Sequence, residues 1–565
     1  MASETSDWKA IAKQKRDSIF ASIPSEWHIS SVPSVKEQRD VTGQFIQQYL
    51  SGREIEITET DAVDIGKKTK TGQWTAVEVT KAFCHRAALA HQLVNCLHET
   101  FFDAAVGEAQ KLDDYYATHK QPIGPLHGIP VSLKDQFHVK DVETSMGYVG
   151  WLGTFEGKKG TKKERVFESE MVRELRNLGA VLYCKTSVPH TLMCGETVNN
   201  IIEYTQNSKN RNLSSGGSSG GEGALIGLRG SPLGFGTDIG GSIRIPAAFN
   251  GLFGIRPSAG RLPYEGMANS MDGQISILSV VGPLAPSISA LRLATKSLLS
   301  QQPWLHDPLV HELPWRDEQE QEILDIVNSL GASHKLAFGV IRQDDLVAPH
   351  PPVRRALDIV VGAMEKLGHE IIEWKPPIPT KKINDVTFKI WMFDGGTDVV
   401  NAFRLSGEVP AEQLAMPTEP TPEASASEIA ATNVAKRQLQ KEYMEYWNST
   451  KDITSTGRPV DALLCPLAPF AAARPKLYTY YGYSTWVNCL DYTSVVLPVT
   501  TVDKAIDKVD QDFQPTDDVD QKTHETYDSE IYDGAHVSIQ IVGRRLQEEK
   551  MLALAEYVSN EVHRK

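Results

Sequence analysis

The chain has 565 residues, 41% of them hydrophobic, six cysteines and a formal net charge of −14. That length suffices for a large buried core, and the acidic balance argues against a nucleic-acid substrate or an anionic membrane surface, since both are bound by basic faces. Irregularly spaced cysteines read as thiols, and no apolar run has the length of a signal or transmembrane segment, so a cytoplasmic protein without stable membrane insertion is expected.

In chain order, residues 1–73 are polar and interrupted, with Asp7 to Ile23 reading as an amphipathic helix that carries several basic residues. This stretch is expected to form a helical arm packing on a catalytic body that spans 74–565. Gly128 to Leu133 reads as a buried strand ending at Lys134, and the run Ala180 to Cys184 ends in the same way at Lys185. A desolvated lysine has a lowered pKa and can act as a base, whereas a lysine snorkelling from a strand end does nothing of the kind. Spacing alone does not choose between the two lysines.

The most informative stretch is SSGGSSGGEGALIGLRGSPLGFGTDIGGSIR, residues 214–244. Gly216-Gly217-Ser218 and Gly240-Gly241-Ser242 each place a serine after two glycines and ahead of an apolar run, which predicts two tight turns that each lead into a helix. Ser219 with Glu222 three residues on fits a capping box. A serine at a helix head lies among backbone N–H groups that lack intrahelical partners, donors of the kind that hold an oxyanion. The pattern G-x-S-x-G is not formed around Ser242, where Arg244 takes the last position, and the loop lacks the Gly-Lys-Ser/Thr ending of a phosphate-binding loop. His127, His138 and His190 show neither an aspartate partner nor metal-ligand spacing, so no metal and no cofactor is expected. Cys184 and Cys194 read as small buried hydrophobes.

Downstream, Asp461 to Pro466 reads as a buried strand and Glu548 to Val558 as an amphipathic closing helix. Residues 408–428, rich in proline, alanine, serine and glutamate, and the acidic residues 503–530 read as surface loops.

The segments GIPVSLKD (128–135), GGSSGGEGALI (216–226) and GTDIGGSIRIP (236–246) together resemble the signature of the amidase signature enzymes. The stretch 231–264 and Asp394-Gly395-Gly396 resemble the fungal acetamidase and general amidase branch of that family. The resemblance runs from about Trp74 to the C-terminus, with Asn488 to Tyr492 similar to a later pocket segment and Ile539 to Arg545 similar to a last strand. It implies an α/β fold, a single large domain with a twisted mixed β-sheet covered by helices on both sides. It also implies a Ser-Ser-Lys triad of Lys134, Ser218 reached through a cis peptide bond, and the nucleophile Ser242. The oxyanion-hole amides would be those of Ile239, Gly240, Gly241 and Ser242, with Asp238 and Arg244 bracing the turn. Lys185 becomes structural on this reading. Pocket walls are expected from Leu192, Met193, Cys194 and Gly195 on one side and from Trp391, Met392, Trp486 and Leu490 on the other.

The activity implied is hydrolysis of a small-molecule carboxamide to an acid and ammonia or an amine, by a protein that is a homodimer by default. Two further readings keep the fold: a hydrolase of long fatty acyl amides, and the amidase-type subunit of a tRNA-dependent amidotransferase.

Overall fold

The computed structural model describes residues 7–329, 335–414, 417 and 419–564. Its strands in chain order are β1 (Leu97–Thr100), β2 (Pro130–Lys134), β3 (Val181–Thr186), the short β4 (Val198–Asn199) and β5 (Glu203–Tyr204), β6 (Gly234–Asp238), β7 (Phe253–Arg256), β8 (Val280–Ala285), β9 (Ala337–Val340), β10 (Glu370–Glu373), β11 (Ala462–Cys465), β12 (Ser494–Thr501) and β13 (His536–Val542). Strands β4 and β5 pair only with each other. The other eleven form one sheet in the order β1-β3-β2-β6-β8-β7-β12-β13-β11-β9-β10. Strand β2 runs parallel to β3 and β6, and β9 parallel to β10 and β11, while the remaining pairs are antiparallel.

Strand alternation divides the core between the two faces of the sheet. On β11, Ala462 and Leu464 join one apolar cluster and Leu463 and Cys465 the other. On β9, Phe338 and Val340 face the first cluster and Ala337 the second. Helices Ala76–Val94, Ile288–Leu299, Pro351–Lys366 and Glu548–Val562 close the first face, and helices Thr380–Trp391, Ala426–Ser449 and Gly482–Leu490 the second. Strands covered on both faces read as continuous apolar runs. That is why β2, all five residues of which are buried, gave no alternating pattern in the sequence.

The N-terminal segment is built into the core. Helix Trp8–Ala21 buries Ala12 and Ile19 against Val149, Ile201 and Ile202, and Ile57, Ala62 and Ile65 of the next helices join the main cluster. Lys15 bridges the carboxylates of Glu99 and Glu143. The six cysteines are all buried and unbridged.

Two local expectations need correction. Ser219 and Glu222 do not form a capping box: Ser219 Oγ turns toward Thr237 on β6, and Glu222 instead accepts from Ser132 Oγ at 2.6 Å and Thr186 Oγ1 at 2.9 Å. Residues 503–530 are not a plain loop, because they carry helix Asp518–Glu525, and Asp507 is buried in a two-point ion pair with Arg355. Acidic residues that looked solvated in the sequence are here satisfied by a cation from helix Pro351–Lys366. The described part of 408–428 is largely irregular but anchored, with Glu408 buried and accepting the Val149 N–H at 2.7 Å.

Candidate active site

Two strand ends and a loop converge at one place. Strand β2 ends at Lys134, strand β6 ends at Asp238 just before the turn bearing Ser242, and Ser218 sits ahead of helix Gly220–Gly227. The Gly217–Ser218 peptide is cis. An added Cβ at Gly217 would run into the Cys194 carbonyl, and Gly241 has φ +129°, a conformation open to glycine alone. The Ser219 N–H donates to the Ser242 carbonyl at 3.2 Å and ties the two serine turns together.

Lys134 is fully buried, and its Nζ lies 2.8 Å from Ser218 Oγ and 2.6 Å from Thr237 Oγ1. Burial draws its pKa down to about 7, against the opposing pull of Asp238 and Glu222. Thr237 Oγ1 donates in turn to Gln136 Oε1 at 2.7 Å. With its proton committed there, the threonine can only accept from the amine, so a neutral Lys134 keeps its lone pair for Ser218. Sequence reasoning missed Thr237 and Gln136, although Thr237 lies inside the GTDIGGS motif. The signal for Thr237 was the two-residue period of β6, which points it away from Gly236 and Asp238. Glu222, also buried, is pushed up to about 8 by desolvation.

The rival Lys185 has a different environment. Its Nζ is 2.6 Å from Asp135 Oδ1 and also donates to the Glu143 carbonyl and Thr144 Oγ1, so it is a buried, ion-paired cation away from either serine.

Asp238 and Arg244 lie fully buried in contact, with Arg244 Nε donating to Asp238 Oδ2 at 3.0 Å. The guanidinium holds the Asp238 carboxyl well below the usual carboxylate range, although burial alone would raise it. Arg244 reaches on to Asn488 Oδ1 at 2.7 Å, the Ser484 carbonyl and Gln540 Oε1, and Asn488 Nδ2 donates to Asp238 Oδ1 at 2.8 Å. Asp238 Oδ1 also accepts the Gly241 N–H at 2.8 Å. One of the four expected oxyanion amides is thus committed within the protein, because an N–H already donated inward cannot face a ligand. Ile239, Gly240 and Ser242 remain as candidates.

Ser242 opens onto a cavity of about 50 Å³. Leu192, Met193, Cys194, Gly195, Trp391 and Met392 line it as expected, and Gly217, Ile239, Gly240, Ile245, Phe388 and Tyr481 complete it. Trp486 and Leu490 do not take part. Trp486 is packed in the core against Tyr443 and Tyr492, and Leu490 faces a separate cavity. Both sit on helix Gly482–Leu490, whose turn toward Ser242 carries Ser484 and Asn488 instead. The walls around Ser242 are almost wholly apolar. No group of three or more metal-ligating side chains occurs among the described residues, nor does any described helix have the length and apolarity to cross a membrane.

The family model "Amidase" matches residues 78–552. The chain is 46% identical to an acetamidase of Emericella nidulans over 98% of its own length and 97% of the relative's. It is equally similar to an acetamidase of Aspergillus oryzae, with 98% of each chain covered. Among solved structures, a fatty acid amide hydrolase superposes with TM-score 0.90 at 32% identity, covering 99% of this chain and 96% of that one. A match of this extent, over a mixed sheet that unites Lys134, Ser218 and Ser242, shows that the chain belongs to the Amidase family and is an amide-hydrolysing enzyme.

Proposed function

We propose that the protein hydrolyses short carboxamides through an acyl-enzyme on Ser242, with Lys134 and Ser218 as its proton relay. The observation that carries this reading is the buried amine of Lys134, brought to about 7 and set 2.8 Å from Ser218 Oγ. A hydroxyl is a weak nucleophile without an adjacent base, and a lysine neutral near pH 7 is such a base. Neutral Lys134 takes the proton of Ser218 as Ser218 takes that of Ser242 and Ser242 Oγ attacks the amide carbon. The tetrahedral oxyanion is held by the amides of Ile239, Gly240 and Ser242. The relay then runs backwards, protonating the leaving nitrogen as the C–N bond breaks and ammonia or amine departs. Water, deprotonated through the same relay, attacks the acyl-enzyme and releases the acid.

Cavity size favours short acyl groups. A volume of about 50 Å³ equals room for about four waters at 10–15 Å³ each, enough for acetyl or a little more. The long-acyl reading draws on the superposition with fatty acid amide hydrolase, but it calls for an extended apolar channel. Ammonia release from acetamide, hexanamide and a long-chain amide, with wild type and Ser242→Ala in parallel, tests the proposal. Turnover is expected to be best on the shortest amide and to vanish in the variant. A rate that climbs with chain length would transfer the reading to fatty acyl amides, and turnover surviving in Ser242→Ala would remove the nucleophile.

A further inference from the structure

Behind helix Gly482–Leu490 lies a second cavity, of about 520 Å³, in contact with residues 275–278, helix Ala426–Ser449 and the turn after β13. This is the size of a site for a small organic ligand, about 300–1,000 Å³. Ile277, Trp447, Leu490 and Tyr492 give it an apolar, partly aromatic wall. The cations Lys436 and Arg544 line it as well.

Neither cation has a carboxylate partner among the described residues. Lys436 Nζ donates to the Ser276 carbonyl, and Arg544 donates to Asn448 Oδ1 at 2.6 Å with its guanidinium 5.3 Å from the centre of the Trp447 ring. The acidic group in this wall, Asp491, is already held by Arg256 at 2.9 Å and Arg545 at 2.6 Å. Partial burial lowers the pKa of both Lys436 and Arg544, as expected of cations drawn from water without a counter-ion. An apolar body that ends in an anion satisfies every surface of such a cavity, whereas a purely apolar or a purely inorganic ligand leaves one side unmet.

The cavity also touches the machinery of the first site. Asn488 lines it and, through the same side chain, donates to Asp238 and accepts from Arg244 beneath the Ser242 turn. We propose that this cavity is a second binding site for an organic monocarboxylate with an apolar body. The carboxylate sits on Lys436 and Arg544, the body packs against Trp447 and Tyr492, and occupancy alters turnover through Asn488. The effect on turnover rests on the proposed role of Ser242; the binding does not.

Phenylacetate is the probe. The enzyme is first labelled at Ser242 with a fluorophosphonate, so that the catalytic cavity is filled, and then titrated by calorimetry. One equivalent is expected to bind the labelled protein, and Lys436→Gln to weaken binding by about tenfold or more, the loss of one charge-assisted hydrogen bond. Inorganic phosphate at the same concentration is expected not to displace the acid. In unlabelled wild type, phenylacetate is expected to change kcat for acetamide, and this change is expected to disappear in Lys436→Gln, whose activity without the acid stays at the wild-type level. No binding to labelled enzyme, or equal binding by wild type and Lys436→Gln, overturns the site, and displacement by phosphate overturns the need for an apolar body. Failure of the reagent to label Ser242 counts against the nucleophile alone. In that case, unlabelled wild type is titrated against Lys436→Gln, and identical curves overturn the cavity proposal.

Discussion

Acidifying the reaction from pH 8 to pH 5 is expected to switch the enzyme off through Lys134. With the buried amine at about 7, its neutral fraction is about nine-tenths at pH 8, half at pH 7, a tenth at pH 6 and a hundredth at pH 5, and a general base works only in that form. The assay is kcat/KM for acetamide by ammonia release between pH 5 and 9 at constant ionic strength, with circular dichroism at each pH to establish that the protein stays folded. Stability gives an independent reading of the same group. The folded amine releases its proton near 7 and the unfolded one near 10.5, so between those values the unfolded chain binds more protons and stability rises with pH. The drop from 10.5 to about 7 amounts to about 5 kcal/mol at about 1.4 kcal/mol per pH unit, a penalty fully present below pH 7 and gone above pH 10.5. Lys134→Met is therefore expected to be inactive yet more stable than wild type at pH 6, by a few kcal/mol after the lost hydrogen bonds are deducted. That advantage should shrink toward pH 10. A rate profile flat from pH 5 to 8, a midpoint near 4, or a Lys134→Met protein less stable than wild type at pH 6 would refute the base assignment.

Other perturbations isolate single contacts. Thr237→Val keeps the volume near Lys134 but removes the acceptor that aims its lone pair; kcat is expected to fall about 10- to 100-fold with KM little changed, and a large KM effect would count against a positioning role. Asp238→Ala strands the buried Arg244, which should cost about 3–5 kcal/mol in a urea melt, and a loss below 1 kcal/mol would show the pair to be dispensable. Trp391→Ala opens the wall beside Gly240 and is expected to shift the preference among amides toward longer acyl groups. An unchanged chain-length profile would exclude Trp391 from acyl recognition.

The readings that succeeded from sequence were those fixed by local chemistry. Paired glycines before Ser218 and Ser242 do lead into helices Gly220–Gly227 and Arg244–Phe249, and the buried run ending at Lys134 is a central strand. Spacing did not choose between Lys134 and Lys185, which only the resemblance separated, because both lie at or next to the end of a fully buried strand and differ in what faces them. Asp135 lies against Lys185, whereas hydroxyls alone bond Lys134. Pocket residues split along the same line. Leu192 to Gly195 line the cavity and so do the distant Trp391 and Met392, whereas Trp486 and Leu490 depended on the rotation of one helix, which sequence does not specify. The segment 503–530 misled because its aspartates look solvated until Arg355, about 150 residues away, is placed beside Asp507.

The brace under Ser242 has a consequence in time. Lys134, Ser218 and Ser242 are all made within the first half of the chain, but Arg244 is held by Ser484, Asn488 and Gln540, the last of them on the final strand of the sheet. A ribosome has therefore completed the proposed catalytic residues some 300 positions before it supplies the contact that finishes their support. Chains released after residue 530 are expected to carry every proposed catalytic residue and yet hydrolyse no acetamide, and adding a peptide of residues 531–565 is expected to restore activity. Activity in the truncated chain alone would show that the turn stands without its distant partners. On this account activity is expected to wait until the segment that carries Gln540 has joined the sheet.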